Sequence, residues 1–160
     1  MDKNEEKLLE HFRNPRNVGV IVNPDGFGRG ENPINGYITD IYLRIENEII
    51  KDIRYKTFGC VATIAVSSGL SSAVKGKSLG EIFNSDNTYE KMTVLITNEI
   101  GNIPDKNWHC LPTAIQTLLI AISDYYTKKK NEERVQKIRN IIAEIQQKVQ
   151  ERIKERKEIN

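Results

Sequence analysis

The chain is poor in the residues that build cross-links and metal cages. Its 160 residues hold two cysteines, Cys60 and Cys110, two histidines and one tryptophan. Two cysteines exclude a disulfide framework, and a reducing compartment would keep them as thiols. No apolar run approaches the roughly 18 residues that a membrane span needs. The opening stretch, MDKNEEKLLEHF, is too acidic and polar for a signal peptide. A cytoplasmic protein without membrane contact is the expectation. The glycine-rich GFGRG (Gly26 to Gly30) has no strand before it and no Lys-Ser/Thr after it. It reads as a flexible loop and not as a phosphate cradle. No base is visible beside Ser67 or Ser71, so SSGLSS reads as helix packing. Nothing looks like a catalytic triad, and the chain is not read as an enzyme.

Charge is uneven. Residues 128–160 hold 11 Lys/Arg and 6 Asp/Glu, a net of +5. Residues 1–127 hold 13 and 16, a net of −3. A basic tail could meet nucleic acid or an acidic protein. Here the charges alternate with carboxylates and regular apolar residues, so a solvated helix face is the reading and no nucleic acid is expected.

Residues 3–12 form a short amphipathic helix carrying Leu8, Leu9 and Phe12, ended by Pro15. Residues 14–36, rich in Gly, Asn and Pro, read as a long loop in which a further short strand is not legible. From Gly36 the pattern alternates, with Ile41, Leu43 and Ile45 on one face. After a turn at 46–48, Ile49, Ile53 and Tyr55 share the matching face of a second strand. Residues 61–75 suit a buried helix of small residues. Ser78 followed by Glu81 is a capping box. Helices follow over 88–99 and from Cys110 to about Lys130. In the tail, Val135, Ile138, Ile142, Ile145 and Val149 recur three and four apart, a coiled-coil seam whose next position is Arg152. Two readings fit: a helix packed on its own body, or a helix pair between chains. The division expected is a domain over 1–127 and a charged helical extension over 128–160, with a short coiled coil as one form of it.

Cys60 ends a strand and opens a helix; Cys110 opens another. Unpaired N–H groups and the dipole at a helix start favour thiolate, which predicts a lowered pKa for both. His109 adds an imidazole beside Cys110. Two thiolates and an imidazole are three ligands of a tetrahedral metal site. The competing reading is two small buried hydrophobes and a satisfied histidine. Trp108 either shields this group or is a rim contact.

The wording around these residues carries a resemblance. HFRNPRNVG (His11 to Gly19), KTFGC (Lys56 to Cys60), KGKSL (Lys75 to Leu79) and HC (His109, Cys110) together resemble the U-type iron–sulfur cluster scaffold family, the IscU/NifU-like proteins. The resemblance runs from about His11 to Tyr126. It implies an α+β fold, with a three-stranded antiparallel sheet packed against helices, here with a C-terminal helical extension. It also implies an iron–sulfur cluster assembly and transfer scaffold. Such a protein binds iron, zinc or a cluster, [2Fe–2S] above all, through Cys60, His109 and Cys110. By the same resemblance Cys110 is the persulfide acceptor. A cysteine desulfurase and recipient iron–sulfur apoproteins are the implied partners.

The family's first cysteine and its aspartate occur as Cys-Gly-Asp. Aligned on Asn32-Pro33 and the strand, NPINGYI puts Asn35 at the cysteine and Tyr37 at the aspartate. A second register, with Asp40 as the aspartate and Ile38 as the cysteine, loses the proline and glycine matches. The family's Leu-Pro-Pro-Val-Lys before the last cysteine is also replaced, by IPDKNWHC. Asparagine supplies no anionic sulfur, so the ligand set is depleted. A homodimer held by the C-terminal seam, or a partner's ligand, would complete it. The alternative is a non-assembling paralogue that accepts persulfide or binds a desulfurase as carrier or regulator.

Overall fold

The computed structural model describes residues 2–83 and 86–159. Helix α1, Lys3–Arg13, starts where the Asp2 side chain accepts the Glu5 N–H at 2.9 Å. Three strands follow: β1 Gly26–Glu31, β2 Ile38–Glu46 and β3 Ile49–Thr57. They form one antiparallel sheet in the order β1-β2-β3. Helices α2 Val61–Val74, α3 Leu79–Phe83, α4 Thr88–Ile100, α5 Cys110–Lys128 and α6 Glu132–Ile159 complete the α+β fold. Among the described residues no helix is long and apolar enough to cross a membrane.

The sheet packs one face on α2 and α5 and leaves the other to solvent. Ile41, Leu43 and Ile45 of β2 are buried as their alternation requires. The partner face of β3 is Ile50, Ile53 and Tyr55, not Ile49. The register shifts between Arg44 and Ile45, so that Arg44 faces Asp52 and Ile45 faces Ile50. Lys51 is the extra residue of a bulge, which changes the phase of the alternation. The two-residue turn at Asn47 and Glu48 has φ of 52° and 62°, the twist a tight hairpin needs.

GFGRG is strand β1 and not a loop. Gly26, Gly28 and Gly30 alternate and so share one face. A Cβ on Gly28 would lie 2.5 Å from the Thr117 carbonyl oxygen and 2.7 Å from the Ala121 nitrogen. The glycines let the strand backbone rest directly on α5. Their low strand propensity hides the element from sequence, because propensity measures side-chain packing and these positions have none.

The predicted capping box is present: the Ser78 N–H donates to Glu81 Oε2 at 3.2 Å, and the Glu81 N–H to Ser78 Oγ at 3.3 Å. Helix α2 is buried nearly all round, between the sheet, α1, α4 and α5. His11 reaches into it, with Nδ1 2.7 Å from Ser68 Oγ and Nε2 3.9 Å from Glu99. Despite this Ser-His-Glu sequence of contacts, Ser68 is 0% exposed and its hydroxyl already accepts the Arg16 N–H. The group anchors the N-terminal segment and has no route to a substrate.

The seam of α6 closes on the chain's own body. Val135, Ile138, Ile145 and Val149 are buried, and Ile142 packs partly buried beside them. At the hairpin end, Tyr126 O–H and Arg134 Nη1 both donate to the Glu48 carboxylate, at 2.8 and 2.6 Å. These bonds tie the β2–β3 turn to the corner between α5 and α6.

Candidate metal–sulfur site

Cys60 follows β3 as the N-cap residue of α2, in extended conformation (φ −78°, ψ 177°). Cys110 is the first residue of α5, where Pro112 sits in the first turn and needs no donor partner. Two helix starts therefore bring the two thiols to one end of the molecule. Thr63, on the first turn of α2, lies between them: its Oγ1 is 3.4 Å from Cys60 Sγ and 3.6 Å from Cys110 Sγ. Both cysteines are free thiols.

The two thiols differ. Cys60 is partly exposed. Burial acts to raise its pKa, but the Thr63 hydroxyl and the backbone N–H groups of the α2 start outweigh it and pull the pKa below the ordinary value. Cys110 is buried, and burial pushes its thiol up to about 11, with the nearby Cys60 adding to the rise. The helix-start argument therefore holds for Cys60 and fails for Cys110. There, desolvation is larger than the stabilisation offered by the helix N-terminus.

His109 is buried and its pKa lies below the ordinary value, through burial first and the Arg156 charge in addition, opposed by a backbone hydrogen bond at Lys106. Its Nδ1 lies 4.0 Å from Cys110 Sγ and 2.8 Å from Asn32 Nδ2. Trp108 stacks edge-on to His109 and is covered by Arg152 and Arg156 of α6, 4.4 and 5.5 Å from its ring centroid. The same arginines reach Asp105 at 3.4 and 2.9 Å. Trp108 is thus a shield, and Arg152 stands at the seam position because it caps an indole.

Asn35 and Tyr37 lie on the β1–β2 loop at this end. Asn35 Oδ1 accepts the Tyr37 N–H at 3.0 Å, and both side chains are exposed. Asp40 is spent elsewhere: it holds Arg29 through two bonds, at 2.7 and 2.8 Å, on the outer face of the sheet. Sequence reasoning passed over Thr63 and Asn32. Neither belongs to a chemical motif, and Asn-Pro in a loop signals no more than a turn. Among the described residues, no group of three or more His, Cys, Asp or Glu side chains stands ready to hold a metal ion. The three predicted ligands are linked pairwise, Cys60 to Cys110 through Thr63 and Cys110 to His109, without closing on a common point: Cys110 is buried and the imidazole is engaged by Asn32.

Exposed apolar side chains surround this end: Ile34 and Tyr37 on the loop, Ile38 opening β2 and Phe58 after β3.

Residues 3–132 match the family described as NifU-like N terminal domain. The chain is 42% identical over 135 residues to the iron-sulfur cluster assembly scaffold protein IscU of Aquifex aeolicus, covering 83% of this chain and 82% of that one. It is 37% identical over 129 residues to the IscU of Escherichia coli K12, covering 78% and 95%. A crystal structure of a NifU-like protein (N-terminal) from Brucella abortus superimposes with a TM-score of 0.60 at 18% identity, covering 77% of this chain and 94% of that one. That last likeness supports the fold alone.

Proposed function

The chain belongs to the family of NifU-like N-terminal domains, and from that premise we propose that it is an iron–sulfur cluster assembly and transfer scaffold with a depleted ligand set. The observation that carries this reading is the convergence of Cys60, Thr63, His109 and Cys110 at the starts of α2 and α5. The cluster is cargo and not a resident cofactor. Cys60 and Cys110 supply thiolates and His109 an imidazole, a donor set suited to iron or, as a second occupant, Zn²⁺. The protein carries cargo and has no turnover chemistry of its own. Two free thiols suit the reducing cytoplasm.

Asn35 and Tyr37, standing for the family's cysteine and aspartate, leave one chain short of four anionic ligands. Two chains bring two Cys60 and two Cys110, the Cys₄ count of a bridged [2Fe–2S] cluster. The α6 seam is already buried within each chain, so the surface we assign to such a dimer is the thiol end. The same apolar rim of Ile34, Tyr37, Ile38 and Phe58 suits docking of a cysteine desulfurase or a recipient apoprotein.

Sulfur loading is assigned to Cys110. Its thiolate attacks the outer sulfur of the desulfurase persulfide, the S–S bond breaks, and the desulfurase cysteine leaves as thiolate. No net oxidation occurs. The step requires Cys110 to be uncovered and deprotonated first. One observation favours the alternative, a persulfide carrier that builds no cluster: Asn35 engages its own loop and offers no anionic ligand.

Anaerobic incubation with ferric iron and sulfide, then with an apo-ferredoxin, separates the two. A visible chromophore that moves to the ferredoxin supports the scaffold. Its absence, together with added sulfur on Cys110 by mass spectrometry after exposure to a desulfurase and cysteine, replaces the scaffold with the carrier.

A further inference from the structure

His109 lies among the thiols, yet its side chain is engaged by a residue with no place in the ligand set. Asn32 is 3% exposed, in the loop between β1 and β2. Its backbone is fixed on both sides: its N–H donates to the Tyr37 carbonyl at 2.9 Å, and its carbonyl accepts the Gly36 N–H at 2.8 Å. Its side-chain amide is fixed as well. One end lies 2.9 Å from the Ile34 N–H, a donor, so that end is the oxygen. The other end is therefore the NH₂, and it lies 2.8 Å from His109 Nδ1.

An NH₂ can only donate, so Nδ1 accepts and carries no proton. In a neutral imidazole the proton then sits on Nε2. Nδ1 is also the nitrogen 4.0 Å from Cys110 Sγ. The single lone pair on the thiol side of the ring is thus occupied by Asn32.

We propose that Asn32 is a positioning residue that holds His109 as the Nε2–H tautomer and occupies Nδ1, so that His109 becomes a metal ligand only when the 32–37 loop lets the amide go. This rests on the reading of His109 as a ligand. Asn32 aims the correct nitrogen at the thiols and keeps it from binding metal early. Because the amide is bonded to the loop that carries Asn35 and Tyr37, ligand release and loop movement are one event. A partner seated on Ile34 and Tyr37 would thereby open the ligand site.

The test uses the full-length chain. Nitrogen-15 NMR of the imidazole in the metal-free protein is expected to show His109 as the Nε2–H tautomer. In N32D the carboxylate still accepts the Ile34 N–H but cannot donate to Nδ1, so the proton moves to Nδ1. N32S keeps an acceptor near Ile34 and is too short to reach His109. It is expected to bind Co²⁺ about fivefold more tightly than the parent, the weight of one net hydrogen bond, read from thiolate-to-cobalt absorption. An Nδ1–H tautomer in the parent, or the same tautomer in parent and N32D, overturns the proposal. So does equal Co²⁺ affinity in parent and N32S. If no variant binds Co²⁺ through His109, the metal-site reading fails, while the tautomer comparison still decides the role of Asn32.

Discussion

At the scale of single residues, two cysteines in similar local positions have opposite chemistry. Both open helices, yet one thiol is drawn toward thiolate and the other is held as thiol. Sequence shows the helix starts but not the depth of burial, so it treats the pair as alike. The difference has a pH signature. Below the ordinary thiol value of 9.0 both folded and unfolded chains keep the Cys110 proton, and its contribution to stability is intact. As pH rises toward about 11 the unfolded chain loses that proton and the folded chain keeps it. Stability therefore falls across this window, by no more than about 3 kcal/mol for this group. Urea unfolding at a series of pH values reads the slope. C110S is expected to flatten it, leaving a contribution from Tyr55, whose phenol burial pushes up to about 12. A slope unchanged in C110S contradicts the assignment.

At the scale of elements, the legible parts were those whose side chains mark them. The β2–β3 hairpin, the capping box at Ser78 and helix α2 could be read because apolar and capping residues mark them. Strand β1 could not, because its inward positions are glycines whose function is to let two backbones touch. G28A is expected to lower stability by about 2–3 kcal/mol, the cost of overpacking, visible as a lower urea midpoint. A change within about 0.5 kcal/mol, the range of neutral surface substitutions, would mean β1 does not rest on α5 as described. The bulge at Lys51 was equally hidden, since one inserted residue is invisible until the register is known. Helix α6 makes a different contribution: Arg152 and Arg156 brace the segment that presents His109 and Cys110. Exposed ion pairs alone are weak, but stacking on a largely buried indole adds to them. R152A/R156A is expected to speed iodoacetamide labelling of Cys110 several-fold while leaving Cys60 labelling near the parent rate. Equal acceleration at both thiols would indicate general loosening instead.

At the scale of the whole molecule, one core runs from the sheet through α2 and α5 to α6. The tail's seam was readable as a stripe, but a stripe does not name its partner. Four buried seam side chains contribute on the order of 6–10 kcal/mol of gross burial. Removing 131–160 should therefore lower the melting temperature sharply. I138D should do the same, with no change in association state by sedimentation. Similarly, the thiol end was legible from Cys60, His109 and Cys110, whereas its closure by Asn32, Thr63 and Trp108 was not, because these residues act only through contacts between distant segments. The proposed scaffold is therefore short of ligands in a single chain, and its site rests closed. Native mass spectrometry of the anaerobically reconstituted protein tests this most directly. A species of two chains with one [2Fe–2S] cluster is expected, lost in C60A and in C110A. A cluster bound to single chains, or none in any association state, would contradict the dimer-bridged scaffold.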